Sequence, residues 1–124
     1  MLIVEDDAGF ARLVEAELTS QGVTSMWAPD AETAVQLLAL APPRVVVVDL
    51  LLPGLSGEEF MARLQSSSSR VPVIVVSIKD LEPDEMLALR STGAVAILKK
   101  HSGAARDAAI YVAAALSRTI QPSG

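Results

Sequence analysis

The stretch Arg44-Val-Val-Val-Val-Asp49-Leu-Leu-Leu-Pro53-Gly54-Leu-Ser-Gly57 restricts the fold of this chain more than any other. Four consecutive valines without polar alternation suit a strand buried on both faces, as in the centre of a parallel sheet. Asp49 then closes that strand at its carboxyl end, and Pro53-Gly54 turns the chain. In open α/β sheets ligands gather at this end, in a crevice formed by the loops. An aspartate ahead of Pro-Gly is also ordinary turn chemistry. A functional reading therefore requires other polar residues on the same edge.

The rest of the chain alternates in the same way. Leu2-Ile3-Val4 is a short strand ending in Glu5-Asp6-Asp7, followed by Phe10, Leu13, Val14 and Leu18 at helical spacing up to about Gln21, with Gly22 as the stop. Three residues make a thin first strand, which fits either a natural beginning upstream or a boundary at Met1. Val23 to Ala28 reads as a weaker, edge strand. Pro29-Asp30 supplies a turn and N-cap for a helix carrying Ala34, Val35, Leu37 and Leu38, ended by Pro42-Pro43. Gly57 to Leu64 reads as a short helix, and Ser66 to Ser69 as a loop. Val71 to Val76 is an apolar strand closed by Ser77, with Pro72 near its start where a missing amide matters little. Leu81 to Thr92 is a helix with Pro83 in its first turn and Gly93 as its stop. Ala94 to Leu98 is a fifth strand closed by Lys99-Lys100, and an Ala-rich helix runs from about Ser102 to Arg118.

Five strands alternating with helices imply right-handed crossovers and a parallel sheet covered on both faces, the doubly wound α/β class. Parallel strands all point one way, so Glu5-Asp6-Asp7, Asp49, Ser77 and Lys99-Lys100 fall along one rim. Turn chemistry alone does not produce that convergence.

At 124 residues the chain is one domain. Hydrophobic residues make up 51% but aromatics only 3%, so the core is built from Val, Leu, Ile and Ala. The absence of cysteine excludes a disulfide framework and thiolate metal sites and is compatible with a reducing cytoplasm. No apolar run reaches the roughly 18 residues of a membrane span, so no membrane association is expected. The net charge of −5 argues against direct binding of nucleic acid by this domain.

Carboxylates brought within about 5 Å of one another need a counterion or must hold a proton. Mg²⁺ suits such a set, because it accepts one or two carboxylates together with a phosphate oxygen and waters. For Asp7, capping of the following helix is the preferred reading; for Glu5 and Asp6 it is the metal site. An aspartate can attack a phosphoryl group, which calls for charge neutralisation and for hydroxyl or amide donors. Asp49, the acidic pair, Ser77 and a terminal lysine supply those roles.

Leu-Ile-Val-Glu5-Asp6-Asp7, Val-Val-Asp49-Leu-Leu-Leu-Pro53-Gly-Leu-Ser-Gly57, Val-Pro-Val-Ile-Val-Val-Ser77 and Gly93-Ala-Val-Ala-Ile-Leu-Lys-Lys100 resemble, in order, the four signatures of the receiver domain of two-component response regulators. The resemblance implies a flavodoxin-like sheet of order 2-1-3-4-5. It implies a receiver domain over residues 1–118 and a flexible tail over 119–124. Asp49 would be the phosphoacceptor, served by a sensor histidine kinase or a histidine phosphotransfer protein. Glu5, Asp6, Asp49 and the backbone carbonyl of Leu51 would hold Mg²⁺, and Ser77 would contact the phosphoryl group. The family lysine aligns with Lys100 when counted from Gly93-Ala94 and with Lys99 when counted from Ser77; Lys100 is preferred.

Three positions depart from the family pattern. Ile97 stands where an aromatic is usual, which removes the common coupled rotation of hydroxyl and aromatic between Ser77 and the fifth strand. His101 replaces proline, and Ile78 replaces a small residue beside the phosphoryl hydroxyl. His101, the one histidine, is read as an exposed bystander, and Trp27 and Tyr111 as packing residues. The leading expectation is a cytoplasmic signalling module, not a conventional enzyme, switched by phosphorylation and able to self-associate through the fourth helix, fifth strand and fifth helix. The alternative is a constitutive interaction or dimerisation domain without conventional switching. A metal-dependent phosphatase is disfavoured because Leu51 stands where a second aspartate is needed. With no effector region after Gly124, the chain reads as a stand-alone receiver or one excised from a longer protein.

Overall fold

A computed structural model describes residues 1–52, 56–66 and 71–119. The expected turn at Pro53-Gly54, residues 67–69 of the expected loop and residues 120–124 of the expected tail lie outside the described residues. The chain forms β1 (Leu2–Val4), α1 (Ala8–Ser20), β2 (Met26–Ala28), α2 (Ala31–Leu40), β3 (Val46–Asp49), α3 (Gly57–Ser66), β4 (Val73–Ser77), α4 (Pro83–Ser91), β5 (Ala94–Lys99) and α5 (Ala104–Thr119). The strands form one parallel sheet of order β2-β1-β3-β4-β5, the doubly wound, flavodoxin-like arrangement expected.

The valine run is explained by the two layers it serves. Val46 and Val48 face one side with Leu2, Val4, Val73, Val75, Phe60, Met61 and Leu64. Val45 and Val47 face the other with Ile3, Ile74, Val76, Val14, Leu18, Ala108 and Val112. Alternation thus persists in direction but not in polarity, because both faces are covered. Alanines of α5 let that helix pack closely on α1 and the sheet.

Several boundaries differ from expectation for local reasons. β2 begins at Met26, not Val23, because the Val23 amide donates to Leu18 O and completes the end of α1. Gly22 supplies the left-handed turn there, with φ +76°. β4 begins at Val73; Pro72 has no amide to give, though its carbonyl accepts from Val46 N. α3 extends through Ser66, and α4 starts at Pro83. α5 starts at Ala104 because His101 to Gly103 form a turn, in which Gly103 N donates to His101 Nδ1. It continues to Thr119, one residue past the expected domain limit. β5 carries a bulge: Val73 pairs with Ala94 but Ile74 with Ala96, leaving Val95 as the extra residue.

Candidate functional site

The carboxyl ends of β1, β3, β4 and β5 bring Glu5, Asp6, Asp49, Ser77 and Lys100 to one rim. Glu5, Asp6 and Asp49 each place a carboxylate oxygen within 4.8 Å of the other two. Glu5 is 1% exposed and Asp49 4%, whereas Asp6 is exposed. Asp7 caps α1 by accepting from Phe10 N at 3.2 Å.

Each group is held from its own backbone outward. The Glu5 amide donates to Ala28 O at 3.0 Å, and its carbonyl accepts from Trp27 Nε1 at 2.7 Å. Asp49 Oδ1 accepts from the Leu51 amide at 3.0 Å, and its Oδ2 accepts from Lys100 Nζ at 3.1 Å. Lys100 Nζ also contacts Glu5 Oε1 and lies 4.8 Å from the centroid of the Phe10 ring. The Lys100 amide donates to Ser77 O at 2.8 Å, joining the ends of β4 and β5. Ser77 is 1% exposed, and its Oγ accepts from Lys79 N at 3.0 Å. Lys99 turns instead to Asp80.

Burial pushes the Glu5 carboxyl up to about 8; a hydrogen bond with Asp49 and its negative charge act in the same sense, and Lys100 opposes both. Lys100 is held above its ordinary value: burial favours the neutral amine, but pairing with Glu5 and Asp49 outweighs it. Metal-free folded protein therefore keeps a proton on Glu5 that the unfolded chain releases near 4.5. Stability from this group is fully present below that value and is lost as pH rises through about 8. The contribution of Lys100 declines only above its own ordinary value of 10.5, outside that window. Thermal melts in chelator should show a lower Tm at pH 8.5 than at pH 5.5, and Glu5→Gln should flatten that slope. Parallel slopes for the two proteins would contradict the assignment.

The acid set fits a hard divalent cation. Glu5 Oε2 is buried and has no hydrogen-bond donor among the described residues, which in a polar site calls for a ligand or a proton. Carboxylate oxygens are the donors Mg²⁺ prefers. At Leu51 the amide serves Asp49; a role for its carbonyl toward a metal rests on the resemblance.

Sequence reading missed four contributors. Trp27 is more than a packing residue, since its indole holds the Glu5 carbonyl. Helical spacing alone does not single out Phe10, whose ring lies beside the Lys100 ammonium, and the motif points to the Leu51 carbonyl whereas the amide is what holds Asp49. Gly57 is required by a close approach: a Cβ there would lie 2.7 Å from both Asp49 O and Leu50 Cα. Only its place in the motif signalled this. His101 is exposed, with its Nε2 3.5 Å from Asp107 Oδ2. Ile78 is 63% exposed beside Ser77. Ile97 packs at the edge of the layer under α4, where a hollow of about 170 Å³ is lined by Ser77, Leu81, Met86 and Ile97 among others.

The sequence profile of the response regulator receiver domain matches residues 1–110. The chain is 34% identical over 89 residues to the transcriptional regulatory protein YkoG of Bacillus subtilis, covering 72% of this chain and 39% of that protein. It is 30% identical over 93 residues to the probable transcriptional regulatory protein TcrX of Mycobacterium tuberculosis, covering 75% and 40%. The chain thus matches about two-fifths of the length of these relatives. Among solved structures, the receiver domain of a Francisella response regulator superposes with a TM-score of 0.83 at 25% identity, covering 95% of this chain and 96% of that one. A signal receiver domain of a histidine kinase from Syntrophus aciditrophicus gives 0.83 at 24%, covering 99% and 93%; at that identity the likeness speaks for the fold. Among the described residues no helix is long and apolar enough to cross a membrane.

Proposed function

We propose that in this chain, which belongs to the response regulator receiver domain family, Asp49 accepts a phosphoryl group from a phosphohistidine of a sensor kinase or phosphotransfer protein. The observation that carries the reading is the buried Asp49 carboxylate, held by the Leu51 amide and the Lys100 ammonium beside two further acids. An Asp49 oxygen attacks phosphorus, the bond from phosphorus to the histidine nitrogen breaks, and the imidazole leaves with the electron pair. Leu51 N–H and Lys100 fix the carboxylate so that little reorganisation is needed. Lys100 also neutralises the incoming phosphoryl oxygens, and the Ser77 hydroxyl is a donor to them. Glu5, Asp6, Asp49 and the Leu51 carbonyl are the residues that would hold Mg²⁺, which supplies positive charge against the crowded carboxylates and the phosphoryl oxygens.

The output is proposed to run through α4, β5 and α5. Leu87, Val95, Ile110 and Tyr111 on these elements are 43–67% exposed, an apolar set suited to self-association. The hollow beside Ile97 and Ser77 favours a second reading, a constitutive interaction module, because no aromatic is present there to follow the hydroxyl. The curated relatives are transcriptional regulatory proteins longer than this chain. We assign any contact with nucleic acid to such additional residues, since the charge of this chain is −5.

Incubation with acetyl phosphate should give one phosphoryl adduct per chain by intact mass, dependent on Mg²⁺ and absent in Asp49→Asn. An adduct that survives the substitution would remove Asp49 from the role. Light scattering on the same samples separates the readings: a mass that changes on phosphorylation supports switching, and an unchanged dimer supports the constitutive module.

A further inference from the structure

The order of the sheet puts β2 at the edge, next to β1, and its register pairs Ile3 with Trp27 and Val4 with Ala28. The ladder is over at Val4, yet the next residue, Glu5, remains tied to β2 at both of its backbone polar groups. Its amide donates to Ala28 O, and its carbonyl accepts the Trp27 indole N–H at 2.7 Å. Trp27 is 38% exposed and lines a surface hollow with Ala11, Arg12 and Glu15 of α1. Glu5 and Asp6 must be kept close to Asp49, and once the proton on Glu5 gives way to a cation the three carboxylates that hold it repel one another. A residue held at both its amide and its carbonyl resists that repulsion better than one held at its amide alone.

We propose that Trp27 is a positioning residue for the acidic pair: its indole N–H fixes the Glu5 peptide and thereby presets the carboxylates that receive the divalent cation. The inference rests on the reading of Glu5, Asp6 and Asp49 as a metal site. It gives the edge strand, remote in sequence from every signature residue, a direct part in ligand affinity. It also makes Trp27 a built-in reporter, because it is the one tryptophan in the chain.

The test uses the whole chain and Mg²⁺ as the only ligand. Wild type, Trp27→Phe and Met26→Ala are titrated with Mg²⁺ by calorimetry, and each is melted in chelator. Phenylalanine keeps an aromatic ring but has no N–H to give, and Met26, 40% exposed on the same strand, controls for loss of side-chain packing at the edge. Loss of one hydrogen bond that counts fully in the bound state predicts a Kd about five- to tenfold weaker in Trp27→Phe. Met26→Ala should match wild type. In wild type the tryptophan emission should shift on titration with the same Kd as the calorimetry. A Trp27→Phe protein that melts lower in chelator yet binds Mg²⁺ as wild type does would reduce Trp27 to packing and overturn the proposal while leaving the metal site standing. A wild type that shows neither heat nor emission change with Mg²⁺ would overturn the metal site itself, and the role of Trp27 with it.

Discussion

Lys100→Met is expected to slow phosphoryl uptake from acetyl phosphate by about 10²–10³-fold, the usual loss when one preorganised charge-stabilising group is removed. The ammonium is the one cation in contact with both Glu5 and Asp49 among the described residues. The thermal effect should be smaller than the kinetic one. Removing a buried partner ordinarily leaves an uncompensated charge; Glu5 avoids that by keeping its proton to still higher pH, and Asp49 retains its hydrogen bond from the Leu51 amide. Lys99→Met is the contrast. Lys99 pairs with exposed Asp80, and exposed pairs contribute about 0–1 kcal/mol, so its rate should stay within about twofold of wild type. Reversed phenotypes would assign the family lysine to position 99.

Gly57→Ala is expected to have the largest effect on stability. Gly57 opens α3, and its amide donates to Leu50 O at 3.2 Å. The added methyl would meet Asp49 O and Leu50 Cα at 2.7 Å. Both are backbone atoms, which give way only if α3 moves off the end of β3. Overpacking of this kind costs about 1–3 kcal/mol, or a fall in Tm of roughly 5–15 °C for a domain of this size. Because the clash lies at the residue that carries the carboxylate, phosphoryl uptake should fall as well. A variant that melts and reacts like wild type would show that the loop relaxes without disturbing Asp49.

The sheet and its rim were legible because they depend on period and polarity. Uninterrupted apolar runs at 45–48 and 73–76 have no other economical fate than a doubly covered parallel sheet, and the strands then carry Glu5, Asp49 and Ser77 to one edge. Which lysine meets Asp49 was harder to read. The bulge at Val95 shifts alternation along β5 by one, so side-chain parity does not decide between Lys99 and Lys100, whereas the count from Gly93-Ala94 gives Lys100, the lysine that meets Asp49. The supports of the site were illegible for a different reason. Trp27 reaches Glu5 across 22 positions of sequence, and Phe10 meets Lys100 from the opposite end of the chain. Such contacts depend on side-chain direction between neighbouring elements, which a hydrophobic pattern does not encode. The Gly57 approach has no local signature either, since its φ is not in the left-handed region.

Reductive trapping tests the proposed phosphoacceptor, the carboxylate of Asp49, at the level of the atom. Borohydride reduces an acyl phosphate to the alcohol, turning the modified aspartate into homoserine, which peptide mass spectrometry places in the sequence. After treatment with acetyl phosphate and Mg²⁺, homoserine at position 49 and at no other acidic position is the predicted result. Reduction at Asp6 or Asp7, or a stable phosphoryl group on Ser77 or His101 with position 49 unmodified, would contradict it.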